Sequence, residues 1–241
     1  LAGGFYFQPP FYRELRNPQG IVNPNVLAQK SIHIVGGLTH EFFMGVNKDK
    51  PFKFIAEAYY KHLWDVVSYD IDNVRIRYSG QNDAEAYVMG LDMRLNGEFV
   101  PGAESWINLS LLRVRERLLG VQHRRFDQNE QVFENVKDVP RPTDQLVTLS
   151  MFFQDYLPQN ENFKMNMTLT IGTGLPYGFP ENNREIRNAF RFRPYHRVDI
   201  GFSLLLWDRA WQAGKPSHLL RFSRSAWVSL EVFNLLQVAN P

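Results

Sequence analysis

Strict alternation of side-chain type is the feature that most constrains the fold of this chain. Across 163–172 every second residue is large and apolar, and the residues between them are polar or small. The apolar set is Phe163, Met165, Met167, Leu169 and Ile171. A period of two is the repeat of a β-strand, whereas a helix would repeat its apolar residues at three and four. The segment therefore predicts a strand with one apolar face and one polar face.

The same alternation recurs along the chain. The segments are 31–43, 52–62, 86–96, 106–116, 145–156, 163–172, 197–207 and 225–233. They are longer than the roughly 5–6 residues of an ordinary strand and match the roughly 9–11 residues that a tilted strand needs to cross a bilayer. Two of them, 106–116 and 145–156, place apolar residues on both faces, for which we predict bulges. The pattern predicts an all-β, antiparallel fold.

Alternation does not say which face is outside, because a lipocalin-like barrel or a soluble sandwich turns its apolar face inward. The connections favour a transmembrane β-barrel, since short ones alternate with long ones at roughly 63–85, 117–144 and 173–196, as in outer-membrane barrels. The connection 208–224 departs from this rule by being long on the short side.

Aromatic residues near the predicted strand ends point the same way. Examples are Phe42 and Phe52 at one end and Tyr59, Tyr60 and Trp64 at the other. Girdles of this kind mark the two interfaces of a membrane barrel. Ordinary aromatic core packing is the alternative interpretation.

Composition and motifs exclude several classes of site. The chain has a net charge of +2 and no cysteine, which rules out disulfides and thiolate metal sites. It contains no phosphate-binding loop, no dinucleotide fingerprint and no nucleophile elbow, and its histidines lack metal-ligand spacing. We therefore expect no catalytic activity, no cofactor, no bound metal and no nucleic-acid partner. Asp83 and Glu85 could bind calcium, but a turn with a solvated face explains them better.

Four segments resemble TonB-dependent outer-membrane receptors. They are "NPNVLAQKSIHIVGGLTHEF" at 23–42, "AYVMGLDMRL" at 86–95, "YHRVDIGFSLLL" at 195–206 and "SLEVFNLLQVAN" at 229–240. Ala28 and Gln29 stand where the family often has Pro and Glu. The long loops are most similar to those of receptors of the Bacteroidetes type.

The resemblance implies a barrel of about 22 strands around a plugged lumen, of which residues 1–241 would supply about eight to ten in the C-terminal portion. It implies energy-coupled uptake of a nutrient ligand across the outer membrane. It also implies a plug domain outside this chain that engages the TonB complex. Outer-membrane lipid and lipopolysaccharide would be partners, with a surface lipoprotein as a further candidate.

The segment 173–196 is the candidate ligand-binding loop. Its candidate residues are Tyr177, Phe179, Arg184, Arg187, Arg191, Arg193 and Tyr195. Interleaved arginine and aromatic side chains can stack on and hydrogen-bond a planar or anionic ligand. The alternative is a loop that packs on its own aromatic residues.

A second arginine group, at 113–125, is expected to face anionic lipid headgroups or a partner. Its members are Arg113, Arg115, Arg117, Arg124 and Arg125.

Three other functions compete with transport. A structural barrel could anchor a surface lipoprotein or a secretion partner. An outer-membrane protease or lipase would need a carboxylate or Ser/His constellation that the loops do not show. A soluble lectin-like β protein would share the alternation with its apolar face turned inward.

Overall fold

The computed structural model of the chain describes residues 1–44, 50–72, 75–100, 102–127, 132–157, 160–178, 183–211, 214 and 217–239. Within these residues the chain forms β-strands and one short 3-10 helix, Arg209–Trp211. The strands are β1 (Ala2–Gln8), β2 (Gln29–Phe42), β3 (Phe52–Val66), β4 (Tyr69–Asp72), β5 (Arg75–Tyr78), β6 (Ala84–Val100), β7 (Ala103–Leu118), β8 (His123–Asp127), β9 (Val132–Val136), β10 (Val139–Pro140), β11 (Val147–Leu157), β12 (Asn160–Gly172), β13 (Pro176–Tyr177), β14 (Phe190–Arg191), β15 (Tyr195–Asp208) and β16 (Ser225–Val232). None of the helical structure in these ranges is long and apolar enough to span a bilayer.

One antiparallel sheet holds all the long strands. Its order is β1-β2-β3-β6-β7-β11-β12-β15-β16, and the short strand β10 also pairs with β7. Neighbours along the chain are neighbours in the sheet, so the strands form an up-and-down meander. The prediction of an all-β antiparallel fold is confirmed, and each of the eight predicted strands is present. The sheet does not close on itself within the described residues, so β1 and β16 are its edges.

Cross-strand register joins the apolar halves of the strands into one continuous face, which we call the apolar face. On it Met167 of β12 lies opposite Phe153 on one side and Ile200 on the other. Members that are at least 38% exposed include Ile34, Tyr60, Met89, Leu111, Val147, Met165, Ile171, Leu204, Val228 and Leu230. So much contiguous exposed apolar surface marks a face made to contact lipid or another protein.

The opposite face of the sheet, the polar face, carries side chains such as Glu57, Asp92, Asn166 and Thr168. Trp106 and Phe152 also point to this side, where their rings stack with centroids 6.1 Å apart. The register of β7 against β11 has no shift, so the predicted bulge in 106–116 is wrong. The extra apolar residues there pack against each other on the polar face. In β11 the register against β12 shifts only at its end, between Tyr156 and Leu157.

The two ends of the sheet differ in their connections. At one end, the short end, β6 joins β7 through 101–102 and β11 joins β12 through 158–159. Gly102 has φ 80, a conformation that glycine adopts without steric cost, which permits so tight a turn. The other end, the long end, carries the connections 9–28, 67–83, 119–146 and 173–194. The connection 209–224 lies at the short end and remains the exception.

Aromatic pairs lie near both ends of the sheet. Phe42 stacks on Phe52 at the short end with centroids 5.9 Å apart, and Tyr60 lies 6.4 Å from Tyr87 toward the long end. These four residues belong to the apolar face, where interfacial girdles lie, although Phe52 is only 2% exposed because it packs against Phe42 and Phe99. Tyr59 does not, because its register opposite Gly90 places it on the polar face.

The loops of the long end fold over the polar face. A small core of Val66, Ala84, Ala86 and Leu118 is buried beneath them. The side chain of Glu116, on the same face of β7, is also fully buried. The loops therefore cover the polar side of the sheet at this end, and the apolar face remains bare.

Candidate functional site

The predicted ligand-binding loop is a compact folded unit at the long end. Strands β13 and β14 pair within it, and the Phe192 amide donates to the Leu175 carbonyl at 2.9 Å. At Gly174 the chain approaches itself so closely that a Cβ atom would lie 1.7 Å from the Phe192 carbonyl oxygen. The close approach requires glycine, and it brings Tyr177 against the segment 190–192.

Arg187 is the most buried of the candidate residues that the structure describes, with 6% of its surface exposed. Its Nε donates to Glu116 Oε1 at 2.6 Å, and its other nitrogens contact Asp70 and the Tyr69 carbonyl oxygen. Burial alone would lower the pKa of Arg187, but the carboxylates of Glu116 and Asp70 raise it above the ordinary value. A guanidinium held this way is positioned to join three segments of chain.

Arg191 and Arg184 make the same kind of contact with other loops. Arg191 pairs with the buried Asp144 and donates to the Gly174 carbonyl at 3.0 Å. Arg184 pairs with Asp83 at 2.6 Å. We call Arg184, Arg187 and Arg191 the bracing arginines, because each ties the loop 173–194 to a connection that is distant in sequence.

The structure therefore divides the candidate residues. The bracing arginines are engaged by the protein itself, and Phe179 lies outside the described residues. Tyr195 is half-buried as the first residue of β15. Arg193 is exposed, and it makes no ion pair within the described ranges. A binding role for these residues stays a prediction.

A cavity of about 220 Å³ lies between this loop and the β4–β5 hairpin. Tyr177 and Phe192 line it and stack with centroids 4.4 Å apart, and Phe190 lies 5.6 Å from Tyr177. Ile186 and Asn188 also line it, as does the ion pair of Arg187 and Asp70. Apolar ring faces with a few amide groups suit a ligand that has both flat apolar surface and hydrogen-bonding groups.

The interleaved aromatic residues of the loop were the signal available in the sequence, and of these Tyr177 and Phe192 line the cavity. No local signal could have indicated Asp70 and Ile71, which reach the cavity from the hairpin of another connection.

Asp83 is an acceptor for protein donors. Its carboxylate accepts hydrogen bonds from the Ser68 amide at 3.1 Å and from the Ser79 hydroxyl at 3.0 Å, besides the contact with Arg184. Glu85 pairs with Arg117 at 2.6 Å on the other side of the strand. The two carboxylates therefore do not converge, and within the described ranges no group of three acidic or histidine side chains is placed to hold a metal.

His123 is a buried member of the same loop assembly. The Leu118 amide donates to its Nε2 at 3.0 Å, so the ring accepts at this nitrogen and must be neutral there. Burial lowers the pKa of His123 below its ordinary value of 6.5.

Two of the family-like motifs meet in space, and a third, at 23–42, contacts the connection 67–83. Leu27, in the Asn-Pro-Asn segment, donates its amide to Asn82 Oδ1 at 2.7 Å. In the Arg-Val-Asp segment, Asp199 Oδ1 accepts the Asn234 amide at 2.7 Å and Arg197 Nε at 2.8 Å. The motifs thus hold the entrance of β2 and the exit of β16.

Comparisons with known proteins support the fold. No protein-family model matches the chain, and no curated protein does. Among solved structures the chain is similar to the copper transporter OprC, with a TM-score of 0.60 and 12% sequence identity. The likeness covers 99% of this chain and 31% of that one, so the chain spans about a third of its length. At this identity the likeness shows a β-barrel-type fold.

Proposed function

We propose that the chain is part of an outer-membrane transport receptor of the TonB-dependent type, which takes up a nutrient ligand by energy-coupled transport. One observation supports this most directly. The sheet has a continuous exposed apolar face on one side and a polar face covered by folded loops on the other. Such an arrangement suits a barrel wall with lipid outside and a wet interior.

The proposed barrel is larger than the part seen in this chain. Both edges of the sheet are unpaired within the described residues, and a lipid-exposed sheet has no water to satisfy its edges. Further strands, to about 22 in the family, would close it. We propose that the plug, and the contact with the TonB complex, lie outside these 241 residues. We also propose that the receptor is of the Bacteroidetes type.

The aromatic cavity is the proposed first contact for the ligand. Tyr177 and Phe192 would offer their ring faces, and the exposed Arg193 would supply a charge beside them. The bracing arginines would keep this surface rigid, because an ordered loop loses less conformational entropy on binding.

Uptake into whole cells tests the proposal. Cells that carry the native gene are given a radiolabelled ferric siderophore, cobalamin, an oligosaccharide or a peptide, with and without a protonophore. We expect one probe to accumulate only without the protonophore, and Tyr177→Ala with Phe192→Ala to reduce its binding about tenfold. Phe222→Ala is the matched control, since Phe222 is 86% exposed at the short end.

The native mass supplies an independent check. A polypeptide extracted from the membrane with a mass several times 28.2 kDa would support a large plugged receptor. A mass close to that value, or accumulation unaffected by the protonophore for every probe, would contradict the proposal.

A second candidate is a structural barrel that anchors a surface lipoprotein or a secretion partner. Ile71 and Ile76 favour it, because both side chains lie on the β4–β5 hairpin and are more than half exposed. In that case Ile71→Ser with Ile76→Ser would release the partner, and none of the uptake probes would accumulate.

A further inference from the structure

A second arginine cluster lies on the opposite side of the wall from the bracing arginines. Register places Arg113, Arg115 and Arg117 of β7 on the apolar face. The cross-strand pairs there are Met89–Arg113, Tyr87–Arg115 and Glu85–Arg117. The pairs next toward the short end are Leu91–Leu111, Met93–Leu109 and Leu95–Ile107, which are purely apolar. The strand pair therefore changes from apolar to cationic within one step of the alternation.

The cluster has an excess of positive charge. Arg117 pairs with Glu85, and Arg115 Nε lies 4.0 Å from an oxygen of Asp138, too far for a hydrogen bond. Arg115 Nε is itself buried and has no hydrogen-bond partner in the described part of the chain. Arg113 and Lys137 are exposed, and neither makes an ion pair with any described residue. Four cations thus face two carboxylates.

A cavity of about 280 Å³ opens within this cluster. Its lining includes Tyr60, His62, Tyr87, Arg115, Arg117 and Lys137, together with the acidic Glu85, Glu116 and Asp138. Glu116 is paired with Arg187 on the polar face. The floor of the cavity is therefore aromatic, and its upper wall holds three of the four cations, with Arg113 just outside it. Tyrosine at such a boundary places its ring against apolar surface and its hydroxyl toward polar groups.

We propose that this cluster binds the phosphorylated headgroup of a lipid in the outer leaflet, with the acyl chains lying on the apolar face below. A guanidinium binds phosphate oxygens through two parallel hydrogen bonds. The guanidinium groups of Arg113 and Arg115 have N–H donors that form no hydrogen bond with the described residues. Basic pockets at membrane interfaces bind lipid headgroups in this manner. The proposal rests on the membrane location of the sheet and does not depend on transport.

The height of the cluster above the apolar face fits this ligand. From Phe99 at the short end to Met89, which lies opposite Arg113, the strand rises roughly 34 Å at about 3.4 Å per residue. At a tilt near 45° this is about 24 Å of height, close to the apolar band of roughly 25 Å on membrane barrels. The cluster would thus lie at the level of the headgroups of one leaflet.

The remaining arginines of the group predicted from sequence are placed differently. Arg124 pairs with Glu185, and Arg125 lies 3.4 Å from Glu134 across the β8–β9 hairpin. Both belong to the loop assembly and neither lines the outer cavity. Arg125 therefore provides a matched control of the same residue type in the same connection.

Native mass spectrometry of the full-length polypeptide in detergent tests the proposal. The probes are bisphosphorylated lipid A, the same lipid A without its phosphates, and inorganic phosphate. We expect the bisphosphorylated lipid to bind and the dephosphorylated lipid to bind at least about tenfold more weakly. Arg113→Gln with Arg115→Gln and Lys137→Gln should cause a loss of similar size, and Arg125→Gln should leave binding unchanged.

The variants are first checked for folding by the heat-dependent shift of a barrel on a gel. If the triple variant does not fold, Arg113→Gln with Lys137→Gln is used, since both side chains are exposed and make no ion pair with the described residues. Equal binding of both lipids, full binding by the folded variant, or competition by inorganic phosphate would each overturn the headgroup proposal. These outcomes are measured without uptake, so they leave the transport proposal to its own test.

Discussion

The two faces of the sheet use arginine in opposite ways. On the polar side, the bracing arginines of the loop 173–194 reach Asp70, Asp83, Glu116 and Asp144, and the last two of these acids have fully buried side chains. On the apolar side, Arg113 is exposed and makes no ion pair with the described residues, although it lies on the same strand as Glu116. A high density of arginine in the sequence is thus compatible with either role, holding loops together or binding a ligand. Only the groups that each arginine contacts in the structure distinguish the two roles.

The largest effect is expected at Glu116. Replacement by Gln removes the charge that faces Arg187 and Arg141, and it leaves two cations near a buried site. Breaking a buried ion pair costs about 3–5 kcal/mol. We expect the loops of the long end to lose protection in hydrogen exchange while the sheet stays protected.

The matched control is Glu85→Gln on the neighbouring strand. Its ion pair with Arg117 is partly exposed, and such pairs contribute about 0–1 kcal/mol. Equal loss of loop protection in the two variants would remove the distinction between the two faces.

A smaller effect is expected from Gly174→Ala. The new methyl group would overlap the Phe192 carbonyl oxygen, so the segment 190–192 must move away from Tyr177. Overpacking of this kind costs about 1–3 kcal/mol. Faster proteolysis within 173–194 is the expected readout.

Gly178→Ala tests whether the faster proteolysis depends on the close approach of Gly174 to the Phe192 carbonyl oxygen. Its Cβ would lie 3.4 Å from the nearest atom, the Asn188 amide nitrogen, which is ordinary contact. If both alanine variants were cleaved at the same rate, the packing of the loop on itself would not account for its stability.

The smallest effect is a dependence of the loops on pH through His123. Its folded-state pKa lies below the ordinary value of 6.5, so the neutral ring is the form that stabilises the fold. This contribution is present above about pH 6.5 and is lost as the pH falls through the lower folded-state pKa. Hydrogen exchange at the Leu118 amide should therefore accelerate on acidification, beyond the intrinsic change.

The variant His123→Gln should remove this pH dependence, because glutamine keeps an acceptor but does not titrate. If acidification still accelerated exchange at the Leu118 amide in the variant, the pH dependence would come from groups other than the imidazole of His123. Glu116 and Arg187 are charged groups near the ring.

Two kinds of element escaped sequence reasoning. Strand β1, "AGGFYFQ", has glycines where the apolar set begins, and Tyr6 on its other face stacks on His33 with centroids 4.2 Å apart. Alternation is therefore weak in it. The hairpins β4–β5 and β8–β9 have strands of four and five residues, too short for a period of two to stand out.

The sequence by itself determined the eight long strands, their antiparallel order and the existence of two chemically distinct faces. These follow from a local rule, because side chains alternate sides along any strand. Tertiary structure alone decided what the polar residues do. Arg187 and Glu116 are 71 positions apart. Their pairing depends on how the connections of the long end fold together, and a local sequence period carries no information about that. The same fold turns Arg113, three positions from Glu116, to the opposite side, because the two positions differ by an odd number of residues.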